Sequence, residues 1–133
     1  MDILFIDDEA RRMRPTVEML RADHYQVELI DDPLKSLSML QENPHLCKII
    51  ILDIMMPVEG EFAGSENGNG LDTGVTLLEK IKAISGFELP VIVLTANHTV
   101  ADRLRGKVQR FLHKPVPYAK LKAAVDELMN QKR

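Results

Sequence analysis

Across the middle of the chain runs Ile49-Ile50-Ile51-Leu52-Asp53-Ile54-Met55-Met56-Pro57, an unbroken apolar run closed by an acid and, shortly after, a proline. The run is β-branched and does not alternate with polar residues, which is the pattern of a strand covered on both faces. An acid ending such a strand sits at the mouth of the core, where burial is costly unless a partner compensates it. Outward from this stretch, Ile3-Leu4-Phe5-Ile6 and Val91-Ile92-Val93-Leu94 repeat the pattern, and Val27-Glu28-Leu29-Ile30 is a weaker version. Arg110-Phe111-Leu112 has low strand propensity and is read as a fifth strand from its position before His113-Lys114-Pro115.

Between the strands the apolar residues change period. Met13, Val17 and Leu20 recur at helical spacing, as do Leu34, Leu37 and Leu40, then Leu77, Ile81 and Ile84, and finally Tyr118, Leu121, Val125 and Leu128. Proline is comfortable only in a first turn, so Pro15 predicts a first helix starting near Arg12 to Arg14. Alternation of strand and helix calls for right-handed crossovers and a parallel sheet, hence one doubly wound α/β domain of five strands with helices on both faces.

The composition narrows the function classes. The chain has 133 residues, 45% apolar and 28% charged, which suits a single core. With 17 Lys and Arg against 20 Asp and Glu the net charge is −3, which disfavours direct nucleic-acid binding. No apolar run approaches the ~20 residues that cross a bilayer, so no membrane span is expected. Asp2, Asp7, Asp8 and Glu9 are unlike the basic start of a signal peptide, and the lone Cys47 suits a reducing cytoplasm.

In open parallel sheets, ligands bind beyond the carboxyl ends of the strands, where the strand order reverses. The residues leaving the strands are Asp7, Asp8 and Glu9, then Asp53, Thr95 and Lys114. Taken singly, an Asp pair is turn chemistry, Thr95 a helix cap and Lys114-Pro115 a turn. Together they fall at one end of successive strands, which random turn chemistry does not produce. Clustered carboxylates repel unless a cation joins them, and an oxygen-only donor set suits Mg²⁺.

Asp7-Asp8, Asp53-Ile54-Met55-Met56-Pro57, Thr95-Ala96 and Lys114-Pro115, in this order along the whole chain, resemble the receiver domain of bacterial two-component response regulators. The resemblance implies a flavodoxin-like sheet of order 2-1-3-4-5. It further implies that Asp53 is the phosphoacceptor, that Asp8, Asp53 and the Met55 carbonyl bind Mg²⁺ directly, and that Asp7 holds the ion through water. Lys114 and the Thr95 hydroxyl then face the phosphoryl oxygens, and Thr95 and Phe111 form the switch, although plain core packing is the other reading of Phe111. The implied partners are a sensor histidine kinase or histidine phosphotransfer protein, a downstream target or output domain, and a second copy on phosphorylation. An aspartate is ionised at neutral pH and needs no general base to act as nucleophile, so such a domain catalyses its own modification and is no enzyme in the usual sense.

Two stretches depart from the family pattern. Residues 58–74 hold five of the seven glycines and four acids. They are expected to form a loop between the third strand and the third helix about a dozen residues longer than usual, where ordinary connections run to about 2–6. This is either a tolerated surface insertion or a lid, cation site or docking segment. The stretch from Thr95 to Lys114 is shorter than usual, predicting a poorly formed helix carried by Val100, Leu104 and Val108. A constitutive binding module with a receiver fold is the alternative function. A metal-dependent phosphatase is disfavoured, since Asp7-Asp8-Glu9-Ala10 does not offer a nucleophile with a second acid two residues on and a threonine following.

Overall fold

The computed structural model describes residues 1–7, 10–53, 70–95, 108 and 110–131. Its elements, in order, are β1 (Ile3–Ile6), α1 (Ala10–Ala22), β2 (Val27–Ile30), α2 (Pro33–Glu42), β3 (Ile49–Asp53), α3 (Gly70–Lys82), β4 (Val91–Thr95), β5 (Arg110–His113) and α4 (Tyr118–Gln131). The sheet order is β2-β1-β3-β4-β5 and every pairing is parallel. The five strands and their order agree with the expectation drawn from the sequence.

Burial explains why some strands read clearly and others faintly. Every residue of β1, β3 and β4 is buried, whereas β2 and β5, at the two edges, are partly exposed. Strand alternation divides the core into two layers. Ile3, Phe5, Ile49, Ile51, Ile92 and Leu94 pack under Val17 and Leu20 of α1 and Leu121, Val125 and Leu128 of α4. Leu4, Ile6, Ile50, Leu52, Val91 and Val93 meet Leu37 and Leu40 of α2 and Val75, Leu77, Leu78 and Ile81 of α3. Each wholly buried Leu or Ile contributes about 2 kcal/mol relative to exposure.

The helix starts depart from the sequence reading twice. α1 begins at Ala10, earlier than the expected Arg12 to Arg14, and carries Pro15 inside it. Pro15 lies on the exposed side, where water can serve the carbonyl that loses its partner, while buried Val17 and Leu20 hold the helix to the sheet. α3 begins at Gly70, so the last residues of the expected 58–74 loop are helical. Its buried stripe of Val75, Leu77, Leu78 and Ile81 outweighs the cost of about 1 kcal/mol for each glycine. Residues 58–69, and the short helix expected after Thr95 with Val100 and Leu104, lie outside the described residues. Val108 packs, partly buried, against the α2–α3 layer.

Local chemistry fixes the remaining ends. Asp32 caps α2, its Oδ1 accepting from the Leu34 and Lys35 amides at 3.0 and 3.4 Å, and Pro33 opens the helix where no amide is needed. Along edge strand β2, the Gln26 and Ile30 carbonyls accept from β1 and its extension, so the Val27 carbonyl points away from the sheet. Arg21 of α1 covers it, donating from Nη2 at 2.7 Å and Nε at 3.3 Å. No described helix is long and apolar enough to cross a membrane.

Candidate functional site

From β1 the chain crosses one way to β2 and the other way to β3, so the strand order reverses between β1 and β3. The register pairs Ile6 with Leu52. The next residues on the two strands are therefore Asp7 and Asp53, side by side at the carboxyl end. Asp53 pairs in turn with Leu94, and Thr95 with His113, so Thr95 and Lys114 follow at the same level. The backbone continues the ladder there, with the Asp7 amide donating to the Ile30 carbonyl at 3.0 Å and the Lys114 amide to the Thr95 carbonyl at 2.9 Å.

Asp7, Asp53 and Thr95 are wholly buried, and with Ser36 they are the buried polar residues among those described. Their burial follows from the fold, since each stands at the end of a strand with no exposed face. Alternation puts Asp53 on the α1–α4 side with Ile49 and Ile51, and Thr95 on the α2–α3 side with Val91 and Val93. Lys114 sends its ammonium back over the sheet, with Nζ 2.9 Å from Asp53 Oδ1 and the lysine side chain 26% exposed. That ion pair gives Asp53 a fixed cation and leaves the lysine in reach of solvent. Asp7 Oδ2 and Asp53 Oδ2 are buried oxygens that accept no hydrogen bond among the described residues, although both residues make other contacts.

Four of the residues singled out from the sequence thus stand at one end of the sheet: Asp7, Asp53 and Lys114, with Thr95 on the other side of it. Asp8 and Met55 lie outside the described residues, and among those described no three acidic, His or Cys side chains form a cluster. Phe111 is partly buried against the α2–α3 layer beside Val93, on the same side as Thr95.

The structure adds residues that the strand-end argument passes over. A cavity of about 480 Å³ opens against Asp7 and Lys114, walled by Met13, Leu94, Val116 and Leu121 and rimmed by Arg12 and Thr16 of α1. The available signal was the helical spacing of Arg12 and Thr16, which puts both on one face of α1.

A second polar cluster lies where the turn after α1 meets α4. The Tyr25 hydroxyl donates to Asp126, the Tyr118 hydroxyl donates to Asp23, and Lys122 Nζ sits 2.7 Å from Asp126. Burial, and then the Asp126 carboxylate, push the Tyr25 hydroxyl up to about 12, and burial with Asp23 raises Tyr118 as well. Lys122 and Tyr25 hold Asp126 below the usual carboxylate range. His24, in the left-handed conformation at φ 75°, turns the chain out of α1 toward this cluster.

Comparison with known proteins agrees with this fold. A family model described as the response regulator receiver domain matches residues 3–126. The response regulator MprA of Mycobacterium leprae is 28% identical over 135 residues, covering 98% of this chain and 52% of that protein. The chain spans about half the length of the curated relatives it matches. A response regulator receiver domain protein from Clostridium thermocellum superposes with a TM-score of 0.76 at 25% identity, covering 98% of this chain and 95% of the other. The receiver domain of the sensor histidine kinase PA1611 from Pseudomonas aeruginosa, whose structure has a magnesium ion coordinated in its active-site cleft, does so at 0.75 and 23%, covering 97% of each.

Proposed function

The chain belongs to the response regulator receiver domain family, and from that premise we propose that Asp53 is a phosphoacceptor whose modification switches a partner-binding surface. The donor is a phosphohistidine on a sensor histidine kinase or a histidine phosphotransfer protein, in the cytoplasm. The observation that carries this reading is the wholly buried Asp53 at the topological switch point, with Lys114 Nζ at 2.9 Å. A carboxylate held there is a ready nucleophile toward phosphorus, and the lysine is positioned to take up charge on the transferring oxygens.

Two buried carboxylates on adjacent strands, with oxygen the only donor element, fit a small hard dication. Asp7 and Asp53, joined by Asp8 and the Met55 carbonyl from outside the described residues, would hold Mg²⁺. When bound, the ion supplies positive charge against the phosphoryl group. The protein's own part is to keep Asp53 oriented through Lys114 and to exclude competing water by burying the carboxylates. After transfer, the phosphoryl group adds up to about two negative charges beside Thr95. The Thr95 hydroxyl then serves as donor to it, and Phe111, on the same side of the sheet, repacks. The surface so changed binds a downstream target, an output domain or a second copy of the chain.

Asp53→Asn tests this reading. The parent chain is expected to gain a hydroxylamine-labile label from a phosphorylated kinase or acetyl phosphate in the presence of Mg²⁺, and the variant none. A label that persists in Asp53→Asn, with the same lability, overturns the assignment.

A further inference from the structure

We propose that Arg12 is a specificity-determining residue for small phosphodonors, favouring acyl phosphates because it receives the carboxylate that leaves. The inference rests on the reading of Asp53 as phosphoacceptor and adds to it the residue that meets the other end of the donor.

The cavity beside Lys114 can take the acyl end of such a donor. Its walls are apolar at Met13, Leu94, Val116 and Leu121, which suits an acyl methyl group, and Lys114 joins it to the Asp53 carboxylate. Arg12 stands exposed at the rim. The lining carries two cations, Arg12 and Lys114, beside the one acid Asp7, and Lys114 is the one paired with Asp53. About 480 Å³ exceeds what a two-carbon acyl phosphate needs and lies within the ordinary range of small-molecule sites.

The transfer balances without a proton. As the bond from an Asp53 oxygen to phosphorus forms, the bond from phosphorus to the acyl oxygen breaks. The electron pair stays on that oxygen, which departs in a carboxylate. A planar guanidinium matches a carboxylate with two parallel hydrogen bonds, whereas an ammonium meets it at one point. Phosphoramidate offers a contrast, because its phosphorus–nitrogen bond breaks to release ammonia, with the nitrogen already carrying its protons. That leaving group has no carboxylate for Arg12 to receive.

The experiment compares rate constants for labelling by acetyl phosphate and by phosphoramidate in the parent chain, Arg12→Gln, Arg12→Lys and Arg11→Gln. Arg11 is an exposed neighbour outside the cavity lining and controls for general charge. The ratio of the acetyl phosphate to the phosphoramidate constant is expected to fall about tenfold in Arg12→Gln, to be intermediate in Arg12→Lys and to hold in Arg11→Gln. An unchanged ratio in Arg12→Gln, or an equal fall in Arg11→Gln, overturns the role of Arg12 and leaves the phosphoacceptor reading standing. A parent chain labelled by a phosphorylated kinase but by neither small donor overturns the inference alone, and one labelled by none of the three overturns the phosphoacceptor reading with it.

Discussion

Two groups of carboxylates in this chain stand in opposite circumstances. Asp7 and Asp53 are wholly buried at the end of the sheet, with one lysine against Asp53. On the α1–α4 flank, Asp23 and Asp126 lie nearer the surface, and each accepts from a tyrosine hydroxyl, Asp126 also from Lys122. The flank resolves its charges locally and joins two segments far apart in sequence. The sheet end gathers charge where burial is costly, which fits the proposed phosphoacceptor site better than a role in holding the fold together.

Changes at Lys114 should separate the two groups most sharply. Lys114→Ala removes the cation from a buried carboxylate, so labelling of Asp53 is expected to fall about 100-fold. In the absence of divalent ions the variant should also lose about 2 kcal/mol of stability, less than for a wholly buried pair because the lysine is partly exposed. Labelling rates and urea unfolding in chelator measure both effects. A parental labelling rate would mean that the ion pair is structural.

Asp7→Asn should act in the other direction. Removing one of two like charges buried on neighbouring strands is expected to stabilise the metal-free chain by about 1–2 kcal/mol. Added Mg²⁺ should narrow the difference, because an ion that binds only the folded state favours the parent. A loss of stability in chelator would place Asp7 with the flank acids, as a structural group.

The flank is expected to respond more weakly and without touching labelling. Tyr25→Phe and Tyr118→Phe should each cost about 1 kcal/mol, the net worth of one hydrogen bond, and leave the Asp53 labelling rate as it was. The pH dependence carries a sign. A tyrosine raised from 10.0 to about 12 in the folded chain contributes its stability in full below pH 10 and loses it as the pH rises toward 12. The stability difference between parent and Tyr25→Phe should therefore shrink over that window. A difference that grows there would contradict the hydrogen bond to Asp126.

The sheet was legible because β1, β3 and β4 are buried on both faces and so appear as unbroken apolar runs. β2 and β5 read faintly because edge strands keep one side toward solvent. Asp7, Asp53, Thr95 and Lys114 could be found by asking what leaves each strand, since a parallel sheet sends all such residues to one end. The starts of α1 and α3 are less legible: at α1 burial of Val17 and Leu20 overrides local proline chemistry, and at α3 an apolar stripe overrides two glycines. The link from Tyr25 to Asp126 spans 101 positions, and no periodic pattern carries a contact of that separation. Arg12 leaves no mark at the strand ends, because a helix, not a strand, brings it to the cavity.

The cover that Arg21 places over the Val27 carbonyl bears on how this chain behaves in company. An uncovered strand edge is a template onto which another chain can add its own backbone, and repeated addition builds a fibre. Here the outward carbonyl is already occupied by a guanidinium from the preceding helix, and a would-be added strand must first displace it. Growth of the sheet by self-templating is thereby discouraged at the β2 margin, where a newcomer would have to compete with a side chain for the backbone it needs.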